Sequence, residues 1–316
     1  MKKRKLGNSG LEIAPLMFGG NVFGWTVDEP ASFKLLDAFV DAGLNAIDTA
    51  EGYSNWHPGN IGGESETIIG KWLKHSGKRD RVVIATKVGW WNSLEDNKGL
   101  TKSRILQAAE DSLKRLQTDY IDLYQSHKDD PATPIEERLE AYDQLKKQGK
   151  IRAIGASNYT AERLSEALEL SRKRYFPRYE SLQPLYNLYS RTEFESKLQP
   201  LCEKEEIGVI TYSSLASGFL SGKYRSETDL SKSLRGYRVK KYLNDRGFRI
   251  LAAVEKAAKE HNSTPAAVAL AWLQSRPAVT APIASATSLA QLEELAASTR
   301  LKLDSSSLEL LNQASA

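Results

Sequence analysis

Short apolar runs alternate along this chain with longer segments whose apolar residues recur about every three or four positions, the signature of strands followed by amphipathic helices. The first two runs, Lys3 to Leu6 and Leu11 to Ala14, flank the turn-rich Gly7-Asn8-Ser9-Gly10. They predict a small hairpin ahead of the main fold, suited to plugging the closed end of a barrel. Leu16-Met17-Phe18-Gly19-Gly20 then predicts a short buried strand with its loop, and Asp28 to Ala42 a helix capped by Asp28 and stopped at Gly43.

From there the alternation is regular. Ala46-Ile47-Asp48 precedes a helix over Ser65 to Lys74, and Val82 to Thr86 precedes one over Thr101 to Leu116, in which Ile105, Ala109, Leu113 and Leu116 share a face. Ile121 to Gln125 precedes Pro134 to Gln148, opened by Thr133-Pro134-Ile135-Glu136, a capping-box pattern with proline at the first helical position. Ile151 to Ala156 precedes Ala161 to Lys173, and the weaker strand Ser181-Leu182-Gln183 precedes Gln199 to Glu205. Gly208 to Tyr212 runs into a polar, mobile-looking stretch from Ser213 to about Leu243. Helical patterns follow over Asp245 to His261 and, behind Thr264 as cap, Pro265 to Ser275. Val279 to Ile283 is the last strand, Ser288-Leu289-Ala290-Gln291 a further capping box, and Asp304 to Ala314 an amphipathic run expected to pack outside. Eight strand-then-helix units predict an α/β fold of the (β/α)8 TIM-barrel type. It carries an N-terminal β-hairpin and an extra C-terminal helix, and residues 1–316 are expected to form a single domain.

Composition narrows the function classes. With 316 residues, 41% hydrophobic and 27% charged, and a formal net charge of +4, the chain reads as globular, and its dispersed positive surplus does not argue for nucleic acid. The basic start Met1-Lys2-Lys3-Arg4-Lys5 has no apolar region behind it, and no run reaches the length of a membrane span. The single cysteine, Cys202, excludes an intrachain disulfide and a cysteine-rich metal site. The expectation is a cytoplasmic protein without membrane or nucleic-acid partner, a monomer or homo-oligomer.

Several chemical signatures are missing. No G-x-G-x-x-G follows the first strand, and Gly218-Phe219-Leu220-Ser221-Gly222-Lys223 falls a residue short of a P-loop. Neither G-x-S-x-G nor H-E-x-x-H occurs, and the four histidines have no metal-ligand spacing, so no metal is expected. What remains is Asp48, Tyr53, Lys87 and His127, distributed over the ends of three successive strands. Such strand ends are neighbours at a barrel mouth, and the set suits proton delivery to a carbonyl oxygen. A tyrosine with its ordinary pKa of about 10 is a weak donor at neutral pH; a lysine ammonium beside it is expected to lower that pKa, with aspartate holding the lysine in place. His127 is expected to donate to the same oxygen. Each residue alone also has a plainer role: Asp48 as a cap, Tyr53 as loop packing, His127 as a satisfied rim histidine.

Asp-Thr-Ala-Glu-Gly-Tyr at 48 to 53, Ala-Thr-Lys at 85 to 87 and Asp-Leu-Tyr-Gln-Ser-His at 122 to 127 strongly resemble the tetrad motifs of the aldo-keto reductase superfamily, in order and spacing. The likeness runs over essentially the whole chain and is greatest to the bacterial branch related to voltage-gated potassium channel β-subunits. It implies a (β/α)8 barrel that reduces aldehydes and ketones with NADPH, with Tyr53 as general acid, Lys87 and Asp48 tuning it, and His127 positioning the carbonyl. It also implies that Ser157, Asn158 and Gln183 meet the nicotinamide carboxamide and that Tyr212 stacks on its ring. Ser213, Leu215, Ser217, Gly218 and Lys223 then cover the pyrophosphate, an anion cradle of small residues and one cation. Ser285, Thr287, Gln291 and Glu294 match the segment that binds the adenosine 2′-phosphate. That segment departs from the family in two ways: Pro282 to Leu295 holds no Lys or Arg, and Leu295 stands where relatives often carry an amide. Ser285, Thr287 and the helix N-terminus near Ser288 remain to hold a phosphate. The cofactor expected is NADP(H), with NAD(H) the alternative.

Aromatic residues are plentiful on or beside the strand-end loops: Phe23, Trp25, Trp56, Trp90, Trp91 and Tyr124. Trp25, Trp56 and Trp90 are the expected substrate contacts, lining an apolar pocket for a small-molecule aldehyde or ketone. The competing reading is a regulatory or redox-sensing subunit on the same fold.

Overall fold

A computed structural model describes residues 1–90 and 99–316. In chain order, β1 (Arg4–Lys5) and β2 (Glu12–Ile13) form the antiparallel hairpin, and β3 (Met17–Gly19) and α1 (Glu29–Asp41) follow. The pairs β4 (Ala46–Asp48) and α2 (Glu64–Ser76), β5 (Val83–Val88) and α3 (Lys102–Leu116), β6 (Ile121–Ser126) and α4 (Ile135–Lys147), and β7 (Ile151–Ser157) and α5 (Ala161–Arg174) come next. The chain ends with β8 (Tyr179–Gln183), α6 (Gln199–Lys204), β9 (Gly208–Thr211), α7 (Asp245–Glu260), α8 (Pro265–Gln274), β10 (Val279–Ala284), α9 (Leu289–Ala297) and α10 (Ser305–Ser315). Strands β3 to β10 pair in parallel and close into an eight-stranded barrel, with β10 bonded to both β9 and β3.

The alternation of side chains along each strand divides the buried residues into two shells. Met17, Ala46, Ala85, Leu123, Ala153, Ile210 and Ala281 fill the barrel's interior, and Leu6, Leu11 and Ile13 of the hairpin join them as a plug. Gly7 turns at a φ of 55°, and a Cβ there would sit 2.2 Å from the Glu180 carbonyl oxygen, so glycine lets the plug seat against the barrel floor. Asn45 ties the hairpin down, its Oδ1 accepting from the Ala14 N–H at 2.8 Å and its Nδ2 donating to the Glu12 carbonyl at 3.0 Å. The larger shell lies between sheet and helices and holds Phe18, Phe39, Trp72, Tyr124, Tyr142 and Trp272.

Helix starts follow the caps expected from sequence at Asp28, Thr264 and Ser288, and Thr101 and Asp304 cap two further helices, each accepting from a backbone N–H in the first turn. The box at Thr133 does not form. Its hydroxyl donates to Asp130 Oδ2, Pro134 occupies the cap position, and the helix begins at Ile135. At Ser288 only half the box closes, because the Gln291 side chain accepts from Thr287 rather than from the cap's own N–H. A π-turn over Phe194–Leu198 runs directly into α6, which periodicity did not anticipate. The stretch after β9 also differs from expectation. It is built as three 3₁₀ segments, Ala216–Ser221, Glu227–Lys232 and Gly236–Tyr242, and pins Phe219, Leu220, Val239 and Tyr242 into the core.

Candidate active site

All the barrel strands end on one face, and the inward positions two residues above the apolar interior layer are polar. Asp48 follows Ala46, Lys87 follows Ala85, Gln125 follows Leu123 and Gln183 follows Ser181, each pair pointing the same way. The polar layer bonds to itself across the barrel: Gln183 Nε2 donates to Asp48 Oδ1 at 2.8 Å and to Gln125 Oε1 at 3.3 Å. Lys87 lies one residue inside the end of β5 rather than at its terminus, and its fully buried ammonium donates to Asp48 Oδ2 (2.7 Å), the Thr49 carbonyl (2.7 Å) and the Tyr53 hydroxyl (2.9 Å). The Tyr53 hydroxyl in turn donates to Asp48 Oδ2 at 3.2 Å.

Tyr53 is held by its loop as well as by its partners. Thr49 N–H donates to the Ala85 carbonyl at 2.8 Å and Glu51 N–H to the Lys87 carbonyl at 3.2 Å, continuing the β4–β5 pairing into the turn. The buried Glu51 carboxylate accepts from Arg104 Nη2 (2.6 Å) and from the Gly89 N–H (2.9 Å), tying the loops after β4 and β5 to α3. Burial pushes the Glu51 carboxyl up despite that arginine. Glu51 was quoted in the sequence only as part of a motif; its part is to brace the loop that aims Tyr53.

The electrostatics correct one expectation. Burial first, and the Asp48 carboxylate second, hold the Tyr53 phenol well above its ordinary pKa of 10.0. The lysine does not overcome this, because Asp48 is bonded to both groups and burial disfavours charge on either; it lowers Lys87 too. Tyr53 therefore keeps its proton at neutral pH, with an ammonium already bonded to its oxygen. His127, immediately after β6, is held well below 6.5 by burial and then by the Lys87 charge, so it is neutral. Its ring lies edge-on to Tyr53 at 5.9 Å and to Trp90 at 5.0 Å, and its Nδ1 has no hydrogen-bond partner among the described residues.

These groups open into a cavity of about 450 Å³ at the strand ends. Asp48, Tyr53 and His127 lie in its wall with Trp56 and Trp90; Ser157, Asn158, Gln183 and Tyr212 continue it. The Asn158 amide links three elements, its Nδ2 donating to the His127 carbonyl (2.9 Å) and Ser157 Oγ (3.1 Å) and its Oδ1 accepting from the Tyr212 hydroxyl (2.9 Å). Beyond Tyr212 the backbone is left-handed at Ser213, Ala216, Ser217 and Gly218, a run that turns successive peptides toward one concavity. Lys223 folds over this turn, its Nζ 3.7 Å from where a Cβ on Gly218 would stand.

The aldo/keto reductase family model matches residues 15–316. The chain belongs to the aldo/keto reductase family. It is 35% identical over 319 residues to Uncharacterized oxidoreductase YrpG of Bacillus subtilis, covering 99% of this chain and 95% of that protein. Aldo-keto reductase YhdN of the same organism is 35% identical over 323 residues, covering 99% and 93%. Probable voltage-gated potassium channel subunit beta of Arabidopsis thaliana is 33% identical over 301 residues, covering 93% and 90%. Family membership makes this chain an oxidoreductase. No helix among the described residues is long and apolar enough to cross a membrane, and among them no cluster of His, Cys, Asp or Glu is suited to a metal ion.

In this aldo/keto reductase most of the residues picked from sequence share one cavity. Ser213, Leu215, Ser217, Gly218 and Lys223 line it on one side and Ser285, Thr287 and Gln291 on another. Three do not face it. Lys87 lies beneath, reached through Tyr53; Glu294 is exposed on α9; Trp25 stands behind Trp56, edge-on at 5.6 Å, with its indole N–H donating to the Asn21 carbonyl. Phe23 stacks on Phe18 in the outer core, and Tyr124 is buried between sheet and helices, its ring edge-on to Tyr142. Trp91 lies outside the described residues.

The sequence reading missed Asn21, Asn55, Arg235 and Arg238, all in the cavity wall. Asn21 follows β3 by two residues, so the strand-end logic that found Asp48 extends to it. Arg235 and Arg238 come from the polar stretch after β9, where no periodicity marks an inward face. With the Asn21 amide turned so that both its ends are satisfied, Nδ2 donates to Ser285 Oγ (2.6 Å) and to the Gly19 carbonyl (3.3 Å), and Oδ1 accepts from Arg235 Nη2 at 3.3 Å.

Proposed function

We propose that the chain is an NADP(H)-dependent reductase of aldehyde or ketone carbonyls, with Tyr53 as general acid. The observation that carries this is the Tyr53 hydroxyl, protonated, bonded to a buried ammonium and facing a cavity that a neutral histidine shares. A bound dinucleotide supplies the hydride to the carbonyl carbon; the residues of this chain handle the oxygen. Tyr53 hands its proton to that oxygen, and the phenolate left behind is stabilised by the Lys87 ammonium 2.9 Å away, which Asp48 and the Thr49 carbonyl keep in place. His127, neutral, has an N–H to offer the same oxygen, and Trp56 and Trp90 keep water from it.

The cavity suits such a cofactor. Ser157 and Asn158 stand beside Gln183, Tyr212 presents a ring at the wall, and the left-handed turn at Ser213 to Gly218 with Lys223 above it forms a cradle for a pyrophosphate. Gln183 is engaged with Asp48 and has a carbonyl oxygen left to accept from a carboxamide. Ser285, Thr287 and the N-terminus of α9 are the groups for an adenosine 2′-phosphate.

Titration of NADPH and NADH by fluorescence, followed by an aldehyde and ketone panel with the tighter cofactor, tests the proposal. Tight NADPH binding with turnover of carbonyls is the expected result. Equal catalytic efficiency with both cofactors removes the NADP(H) preference, and cofactor binding without turnover of any carbonyl removes the reductase assignment. The likeness to a plant channel subunit carries the second reading, a redox-sensing subunit, which that last outcome would favour.

A further inference from the structure

Gln125 is fully buried near the end of β6 and stands outside the cavity wall, yet its amide bonds to a group in that wall. Its Oε1 accepts from Gln183 Nε2 at 3.3 Å, and its own Nε2 makes a longer contact of 3.5 Å with Asp48 Oδ1. Gln183 Nε2 carries two hydrogens: one goes to Asp48 Oδ1 at 2.8 Å and the other to Gln125. Chemistry fixes this direction, since an ionised carboxylate only accepts and must face the nitrogen of each amide. Both N–H groups of Gln183 are thus taken inside the barrel. What it has left for the cavity is its carbonyl oxygen, to which no described residue donates.

The barrel makes room for this contact. Gly155 lies in register between Gln125 on β6 and Ser181 on β8. A Cβ at Gly155 would stand 3.0 Å from Gln125 Cγ and against Ser181 Oγ, so glycine there lets the glutamine lean across β7 toward β8. Packing alone asks for no amide at this position: Leu123, two residues earlier on the same face, is apolar, and a buried amide is costly unless its hydrogen bonds are made.

A glutamine with a spare N–H can meet an acceptor or a donor on its ligand; one whose nitrogen is fully engaged meets a donor only. We propose that Gln125 is a positioning residue that fixes this choice. By taking the second N–H of Gln183 it leaves an acceptor alone at the nicotinamide end of the cavity, and so selects a pyridine ring whose 3-substituent carries an N–H, as a carboxamide does. This rests on the dinucleotide reading above. A substituent that only accepts would bring its lone pairs against those of Gln183 and leave both unpaired. Asp48 then serves both ends of the reaction: its Oδ2 holds Lys87 and Tyr53, and its Oδ1 holds Gln183.

The test measures the affinity of the full chain for NADP+ and for its 3-acetylpyridine analogue, which keeps the carbonyl and has a methyl group in place of the carboxamide nitrogen, from the quenching of tryptophan emission. The wild type binds NADP+ more tightly than the analogue. In Gln125→Met, which keeps the length of the side chain, the ratio of the two affinities falls by about three- to tenfold, the scale of one neutral hydrogen bond. Gln125→Glu keeps most of the ratio, because a carboxyl that Asp48 holds protonated still has an oxygen to accept from Gln183. A ratio unchanged in Gln125→Met overturns the proposal, and so does a ratio lost equally in both variants, which assigns residue 125 to packing. Gly155→Ala displaces Gln125 while leaving every polar group in place, and lowers the ratio too; if Gln125→Met does not fold, a ratio unchanged in Gly155→Ala overturns the proposal instead. Binding is read without turnover, so the outcome stands whether or not a carbonyl is reduced. A wild type that binds neither dinucleotide removes the cofactor reading and this proposal together, whereas binding of both with a ratio indifferent to residue 125 removes this proposal alone.

Discussion

The Lys87 ammonium and the Tyr53 hydroxyl are in direct hydrogen-bond contact at 2.9 Å, at the end of a chain of burial that leaves the lysine no exposure to water. Tyr53→Phe removes the proton to be donated, along with the hydroxyl's bonds to Lys87 and Asp48, so turnover falls by about 10²–10⁴-fold, the usual worth of a placed acid. Lys87→Met also leaves the Asp48 carboxylate buried without its cation, at a cost to stability of about 3–5 kcal/mol. Urea titrations beside steady-state kinetics distinguish the two variants: the first loses rate with only a small shift of midpoint, the second loses rate and a large part of its stability.

The pH profile of carbonyl reduction follows from the protonation states. Tyr53 is held well above 10.0 and His127 well below 6.5, so neither changes state around neutral pH. Lys87 is lowered from 10.5, so the ammonium is the first of the three to change as pH rises. The turnover number is therefore level through neutrality and falls on the alkaline side. An acid limb near pH 6.5 that vanishes in His127→Asn would contradict the burial of a neutral imidazole.

His127 also couples stability to pH. The unfolded imidazole takes up a proton near 6.5 while the folded one resists it to lower pH. Its contribution is complete above about pH 6.5 and is lost as pH falls toward the folded value, at about 1.4 kcal/mol per pH unit. The gap in unfolding free energy between wild type and His127→Asn should be constant above neutrality and change by that slope below it, measured by urea unfolding at several pH values.

Gly70 marks the crossing of α2 and α3. A Cβ there would stand 2.1 Å from the Arg115 carbonyl oxygen and 2.7 Å from the Leu116 carbonyl carbon, backbone atoms that a rotamer change cannot move aside. Gly70→Ala forces the helices apart and costs about 1–3 kcal/mol, the usual penalty for overpacking. A thermal or urea midpoint lowered accordingly, with the cofactor's affinity kept, is the expected outcome.

Sequence periodicity by itself determined the barrel, because each strand buries both faces and each helix one stripe, and those two periods survive in any tertiary context. It also predicted that Asp48, Lys87 and His127 lie on one face, since they are ionisable residues at or near the ends of apolar runs and a parallel barrel must bring such ends together. The fate of Thr133 was decided in three dimensions, where Asp130 claims its hydroxyl before the helix does. So was the protonation of Tyr53: the sequence puts a lysine near a tyrosine, but burial and an aspartate bonded to both set the direction of the shift. Arg235 and Arg238 belong wholly to the tertiary structure. They sit in a run without helical or strand period, and only the packing of that run across the barrel mouth turns two ordinary surface cations into the wall of a site.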